Sequence, residues 1–109
     1  MNIKVTKDYV DFGGFVMFFE EMRKLPETKE NAIYHMIDMF CQSWTFAKMT
    51  DDEKSRCMES FMWAKEQKLL TGDYHQRRRQ CYAIYNAYLA ALGYVGGGAN
   101  WRKDWGNES

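Results

Sequence analysis

The chain has 109 residues, and its 15 basic and 15 acidic side chains give a formal net charge of zero. One domain is expected, because domains of about 100–150 residues are the commonest. Hydrophobic residues make up 46% and charged residues 28% of the sequence, a balance that excludes an intrinsically disordered chain. No stretch of the sequence approaches the roughly 18 apolar residues of a membrane span, so no membrane partner is expected.

The zero net charge is the sum of two oppositely charged halves. Residues 1–54 carry a net charge of −3, and residues 55–109 carry a net charge of +3. The window 74–103 contains no Asp or Glu, and its cations are Arg77, Arg78, Arg79, Arg102 and Lys103. This basic window is either balanced in space by the acidic half or attracts a phosphate or an acidic partner.

The three cysteines, Cys41, Cys57 and Cys81, are odd in number and far apart, so no disulfide framework is expected. No Cys-x-x-Cys spacing of a zinc or redox site occurs. The N-terminus lacks a secretory apolar run, which predicts a reducing, cytoplasmic compartment. Because phosphate-loop, dinucleotide and nucleophile-elbow motifs are also missing, we expect a non-catalytic protein without a metal or cofactor.

The first predicted helix covers residues 8–25 and ends before Pro26. Gly13 and Gly14 weaken its first turn, so the regular helix is expected from about residue 14 or 15. Residues 3–5 alternate with polar neighbours and predict a short extended arm. The apolar face of this helix recurs at three- and four-residue steps and comprises Phe12, Phe15, Val16, Phe19 and Met22.

Three more helices follow along the chain. The second covers residues 29–48, with an apolar stripe that includes Trp44. The third begins with a capping box of Thr50 and Glu53, buries Leu69 and ends at Gly72. The fourth begins with Asp73, followed by Gln76, and stops at Gly93.

Short connections between these helices favour antiparallel packing in a bundle. We therefore predict an all-α fold, a single-domain bundle of four helices over residues 1–95. Residues 96–109 form a separate segment, which we predict to be a flexible, Gly-rich tail with aromatic and basic side chains.

The fourth helix is apolar on nearly every side. Between Cys81 and Val95 the one conventional polar side chain, tyrosine hydroxyls apart, is Asn86. A helix that is apolar all round is usually buried on most sides, which makes it the central helix of a monomer. The alternative is that its small-residue face meets another copy of the chain, and that face comprises Ala83, Ala87 and Ala90.

Three features indicate a partner surface. Trp63 lies about 200° around the third helix from Phe61, so it is either an exposed aromatic of the hot-spot type or packs under the N-terminal arm or the C-terminal tail. Three arginines at the start of the fourth helix oppose the helix dipole, so they either pair with the acidic half or bind a phosphate or carboxylate partner. Aromatic and basic side chains also end the tail. The predicted partner surface comprises Trp63, Arg77, Arg78, Arg79, Trp101, Arg102, Lys103 and Trp105.

Residues 63–72 (WAKEQKLLTG), residues 84–89 (IYNAYL) and the pair Trp101–Arg102 resemble small proteins encoded by phages and mobile elements of gut Gram-positive bacteria. The resemblance implies a binding or inhibitory factor, and such factors include inhibitors of host nucleic-acid defence. It implies no functional residue in this chain.

The expected function is a small protein-binding factor. Its most concrete form is an inhibitor of a host nucleic-acid-handling complex, with a protein or nucleoprotein partner. One alternative is a nucleic-acid-binding protein that uses the basic window, whose affinity would fall steeply as salt rises. A second alternative is a structural protein that forms a helical homo-oligomer through the fourth helix.

Overall fold

A computed structural model describes residues 2–94 in full and the backbone of residues 95, 102 and 103. Five helices are present in this part of the chain: α1 Phe19–Lys24, α2 Ala32–Cys41, α3 Trp44–Ala47, α4 Asp51–Glu66 and α5 Tyr74–Ala91. The strands are β1 Lys4–Val5, β2 Tyr9–Asp11, β3 Val16–Phe18, β4 Tyr94–Val95 and β5 Arg102–Lys103. The prediction of an all-α bundle of four helices is therefore wrong, because the fold is α+β.

Residues 4–18 form an antiparallel sheet in the order β1–β2–β3, in which Val5 lies opposite Val10 and Val10 opposite Met17. The extended arm predicted near residue 4 is thus the first strand. Of the helix predicted over residues 8–25, only the part Phe19–Lys24 is helical, as α1. Gly13 makes the turn between β2 and β3 with φ of 99°, and its N–H donates to Oδ1 of Asp11 at 2.9 Å. A glycine pair between apolar runs is typical of a hairpin.

The second predicted helix is divided into α2 and α3. Ser43 separates them, because its Oγ accepts from the N–H of Phe46 at 3.2 Å and donates to the carbonyl of Phe40 at 2.6 Å. These bonds cap the start of α3 and close the end of α2. The break rotates Trp44 away from the predicted apolar stripe, and its side chain is 77% exposed.

Helix α4 begins as predicted and ends earlier than predicted. The capping box of Thr50 and Glu53 is confirmed, with bonds of 3.1 and 2.9 Å. The helix ends at Glu66, where the N–H of Leu69 donates to the carbonyl of Ala64 at 2.9 Å. Lys68 makes this Schellman turn with φ of 57°, a left-handed conformation that glycine usually adopts. Leu69 is consequently exposed, not buried as predicted.

Helix α5 has the predicted boundaries. Asp73 and Gln76 form its capping box, and the helix stops before Gly93, whose φ is 89°. Cys81, Tyr85 and Leu89 form its buried line. The opposite face of Ala83, Ala87 and Ala90 is exposed, so α5 is not a central helix buried on most sides.

The core is organised around Phe40 of α2. Its ring stacks on Tyr85 of α5 at a centroid distance of 4.0 Å and on Phe61 of α4 at 5.6 Å. The hairpin joins this core where Phe12 meets the ring of Tyr34 edge-on at 6.2 Å. One buried cluster therefore connects the sheet with the long helices.

Beyond α5 the backbone forms a second sheet. Tyr94 of β4 lies opposite Lys103 of β5, and Val95 lies opposite Arg102. Two residues of the predicted flexible tail are therefore part of a strand, while residues 96–101 and 104–109 lie outside the described residues. In the part of the chain that the structure describes, no helix combines the length and the hydropathy needed to cross a membrane.

The core contains ionisable groups that burial keeps neutral. Cys57 and Cys81 are free thiols with no exposed surface, and burial raises the pKa of each to about 12. Burial also raises the pKa of Tyr85 to about 12. Each of these acids ionises at lower pH in the unfolded chain than in the folded chain.

The end of α4 gives a prediction for stability. Lys68→Gly removes the left-handed strain of a residue with a Cβ, so we expect the free energy of unfolding to rise by about 1 kcal/mol in urea titrations. The matched control is Lys65→Gly, which puts glycine inside the helix and also removes the bond to Tyr34, so it should lower the free energy of unfolding by at least about 1 kcal/mol. A lowered stability of Lys68→Gly would contradict the role of this turn.

The buried acids give a second prediction. Because their folded pKa values lie above their unfolded values, the stability they contribute is complete below about pH 9 and is lost as pH rises toward 12. Each group contributes a slope of up to about 1.4 kcal/mol per pH unit. Urea midpoints under reducing conditions should fall between pH 8.5 and about 10.5, less steeply in Cys81→Ala than in the wild type. A midpoint that is independent of pH over this range would refute the assignment.

Candidate functional site

The structure does not gather the predicted partner residues on one surface. Arg77 lines a cavity beside the end of α4, whereas Arg78 and Arg79 line a hollow between α2 and α5. Trp63 lies in a third place, a groove between α4 and α5. The three arginines separate because successive residues of a helix are rotated by about 100°.

The remaining predicted residues belong to the C-terminal segment. Trp101 and Trp105 lie outside the described residues. For Arg102 and Lys103 the structure describes the backbone, which pairs with β4.

The hollow between α2 and α5 adjoins a second one between α2, α3 and α5. Their volumes are about 430 and 300 Å³, and Met39 and Tyr82 line both. We call the combined area the α2–α5 surface. The residues of this surface that carry the argument are Met39, Trp44, Arg78, Arg79, Tyr82 and Asn86.

Large apolar side chains are exposed on the α2–α5 surface. Trp44 is 77% exposed, Met39 40% and Tyr82 36%. The Nζ of Lys48 lies 4.9 Å from the centre of the Trp44 ring and covers one of its faces. Aromatic residues, Met and Arg are enriched at protein interfaces, and clustered exposed apolar groups mark interaction sites.

The arginines of this surface do not bind the acidic half of the chain. The ion pairs among described residues are Arg23–Asp38, Lys24–Glu20 and Arg56–Asp52. None of these pairs includes Arg78 or Arg79, so for the described residues the alternative of internal pairing is wrong. Their guanidinium groups retain donors for an acidic group from elsewhere.

Arg78 is held in place by a chain of hydrogen bonds. Its Nη1 donates to the hydroxyl of Tyr74 at 2.8 Å, and that hydroxyl lies 2.6 Å from Nδ1 of His35. Nε2 of His35 lies 2.8 Å from the carbonyl of Leu25, which only accepts. In the tautomer with the proton on Nε2, His35 donates to this carbonyl and accepts the Tyr74 proton at Nδ1, so both ring nitrogens are engaged.

Asn86 adds an unsatisfied acceptor to the α2–α5 surface. Its Oδ1 is buried and has no hydrogen-bond partner among the described residues. A buried acceptor without a partner costs about 1–3 kcal/mol.

The groove at Trp63 differs in its electrostatics. It has a volume of about 660 Å³, and Trp63 is 59% exposed, as the helical spacing predicted. Its charged rim is already partnered, because Arg56 binds Asp52 at 2.8 Å and Glu59 accepts from Ser55 at 3.5 Å. The groove therefore offers apolar contact with less charge recognition than the α2–α5 surface.

The described His35, Cys57 and Cys81 side chains are engaged or buried. Both ring nitrogens of His35 are engaged, and Cys57 and Cys81 are buried with pKa values of about 12. A reactive cysteine needs an accessible thiolate. Among the described residues, no group of three or more His, Cys, Asp and Glu side chains is arranged to hold a metal ion.

Sequence reasoning missed most of the α2–α5 surface. The apolar stripe of the second predicted helix places Trp44 in the core, and the sequence pattern does not identify Met39 or Tyr82 as site residues. The available signal was Ser43, which favours a helix start and so indicates that the apolar stripe is interrupted before Trp44.

The hydrogen-bond chain at Arg78 gives a third prediction. Tyr74→Phe leaves His35 without its donor and Arg78 without its acceptor, so we expect a loss of about 1–2 kcal/mol in the free energy of unfolding. Tyr82→Phe is the matched control and should change stability by less than about 0.5 kcal/mol. Equal effects of the two substitutions in urea titrations would contradict the chain.

Comparisons of this chain with protein-family profiles, with curated proteins and with solved structures find no match.

Proposed function

We propose that the protein is a non-catalytic binding factor whose α2–α5 surface holds an acidic, amphipathic segment of a partner protein. The observation that carries the proposal is the juxtaposition of two arginines, Arg78 and Arg79, with exposed Trp44, Met39 and Tyr82. No carboxylate of the described chain pairs with either arginine. Charge complementarity therefore favours an acidic partner.

The side chains divide the recognition between them. Tyr82 and Met39 line both hollows and supply an apolar seat for an anchor residue of the partner. Arg78, which Tyr74 holds in place, and Arg79 supply charge-assisted hydrogen bonds for carboxylates. An amphipathic helix that lies along a groove can present an apolar anchor and carboxylates to it at helical spacing.

The proposal extends to partner class and compartment. The resemblance to phage and mobile-element proteins favours a host nucleic-acid-handling defence complex, which the protein would inhibit by occupying a surface of one of its subunits. The free thiols Cys41, Cys57 and Cys81 favour a reducing, cytoplasmic setting.

Direct nucleic-acid binding is less well supported. The arginine triplet faces two sides of α5, so Arg77 does not share a surface with Arg78 and Arg79. A protein that follows a phosphate backbone arranges its cations along a common track. Self-association through the exposed alanine face of α5 is the other alternative, and light scattering of the free protein tests it directly.

The fourth prediction concerns a displayed peptide library selected against the wild-type protein. Enriched sequences should be acidic and carry an aromatic or aliphatic anchor at helical spacing. Synthetic copies of these peptides should bind Tyr82→Ala and Arg79→Glu at least tenfold more weakly in fluorescence anisotropy, because each variant removes a central contact.

Matched controls lie on the other side of α5. Trp63→Ala and Arg56→Glu make equivalent changes at the α4–α5 groove and should leave the affinity within about twofold. Enrichment of basic or uncharged peptides, or a loss of binding in Trp63→Ala without a loss in Tyr82→Ala, would overturn the proposal.

A further inference from the structure

A cavity of about 380 Å³ lies between the start of α2, the end of α4 and the first turn of α5. Four cations line it: Lys29 from the turn before α2, Lys65 and Lys68 from the end of α4, and Arg77 from α5. The one carboxylate among the described lining residues is that of Glu30. The lining therefore carries a formal charge of +3 and comes from segments far apart in the sequence.

Two of these cations are positioned by neutral groups. Nζ of Lys65 donates to the hydroxyl of Tyr34 at 3.0 Å and lies 5.4 Å from the centre of that ring. Nε of Arg77 donates to the carbonyl of Gly72 at 3.0 Å. None of the ion pairs found in residues 2–94 includes a cation of this cavity. These contacts hold Lys65 and Arg77 in position and do not neutralise their charge.

Local helix electrostatics explains only part of the cluster. Cations near the end of α4 complement the helix dipole, which accounts for Lys65 and Lys68. Arg77 lies in the first turns of α5, where a cation opposes the dipole, and Lys29 precedes α2, where the same applies. The lysines are exposed, so water screens much of the repulsion among the four cations, and a bound anion would relieve the rest.

The backbone at Lys68 is an independent observation. Lys68 has φ of 57° at the turn that ends α4, where glycine would avoid the strain. The chain holds a lysine there, and its side chain lines the cavity. Strained conformations of this kind persist at functional sites.

We propose that this cavity binds a small polyphosphate, a molecule with two or three linked phosphate groups. The volume of the cavity is that of a small-ligand site, and its positive charge is complementary to the negative charge of such an anion. Arg77 provides a planar fork of donors, and the lysines provide point charges for adjacent phosphates. Ile33 and Leu70, both buried, form an apolar wall for the part of the ligand next to the phosphates.

A small ligand fits better than a nucleic acid. The cavity is concave and local, and the other arginines of α5 lie on the α2–α5 surface, so the described cations form no continuous track. The proposed site and the α2–α5 surface lie on different sides of α5, so either can fail without the other.

The experiment is calorimetric titration of the full chain with inorganic tripolyphosphate at low ionic strength. We expect one ligand per chain and an affinity that falls as salt rises. Arg77→Gln and Lys29→Gln should each weaken binding about tenfold, since each removes a charge-assisted contact. Arg79→Gln, two residues along the same helix, and Lys7→Gln should leave the affinity within about twofold.

Lys68→Gly separates binding from folding. The fold predicts that this variant is more stable than the wild type, and the proposal predicts that it binds tripolyphosphate about tenfold more weakly. Weaker binding by a more stable protein cannot arise from unfolding.

Three results would overturn the proposal. The first is no detectable binding of tripolyphosphate by the wild type at low salt. The second is an equal loss of affinity in Arg79→Gln and Arg77→Gln, which would indicate unspecific attraction. The third is tighter binding of a single-stranded oligonucleotide than of tripolyphosphate, with the same dependence on Arg79, which would assign these cations to a nucleic-acid surface.

Discussion

The ring of Phe40 determines how the three long helices are arranged. It stacks on Tyr85 at 4.0 Å and on Phe61 at 5.6 Å, while Tyr82 meets it edge-on at 5.5 Å. Four aromatic rings in contact bury a large apolar area and also restrict the rotation of each helix about its axis. The orientation of α5 follows from this cluster, because Tyr85 must face inward for the stacking to form.

The orientation of α5 divides its surface between two sites. With Cys81, Tyr85 and Leu89 inward, Arg77 turns toward the end of α4. The next residues, Arg78 and Arg79, turn toward α2. A run of three arginines that looks like one basic patch in the sequence therefore contributes to two separate surfaces of the fold. The alanine face between them remains exposed.

Features encoded locally could be predicted from the sequence, and features that depend on packing could not. The predictions of both capping boxes and of the end of α5 are confirmed, because a few adjacent residues determine these features. The sequence does not predict the hairpin, because its apolar residues fit helical spacing as well as alternation. The glycine pair at Gly13 is compatible with a weak helix start as well as with a turn. The cavity proposed to bind a polyphosphate combines Lys29 with Arg77, which are 48 positions apart, and only the fold brings these two residues together.

The local costs of this structure fall at its proposed sites and not in its core. Lys68 adopts a conformation that suits glycine, and Asn86 buries an acceptor without a partner among the described residues. Trp44 is a large aromatic residue that is 77% exposed. The strain at Lys68 is a cost that a substitution to glycine would recover. Since the core around Phe40 is stacked and well buried, the fold tolerates these local costs.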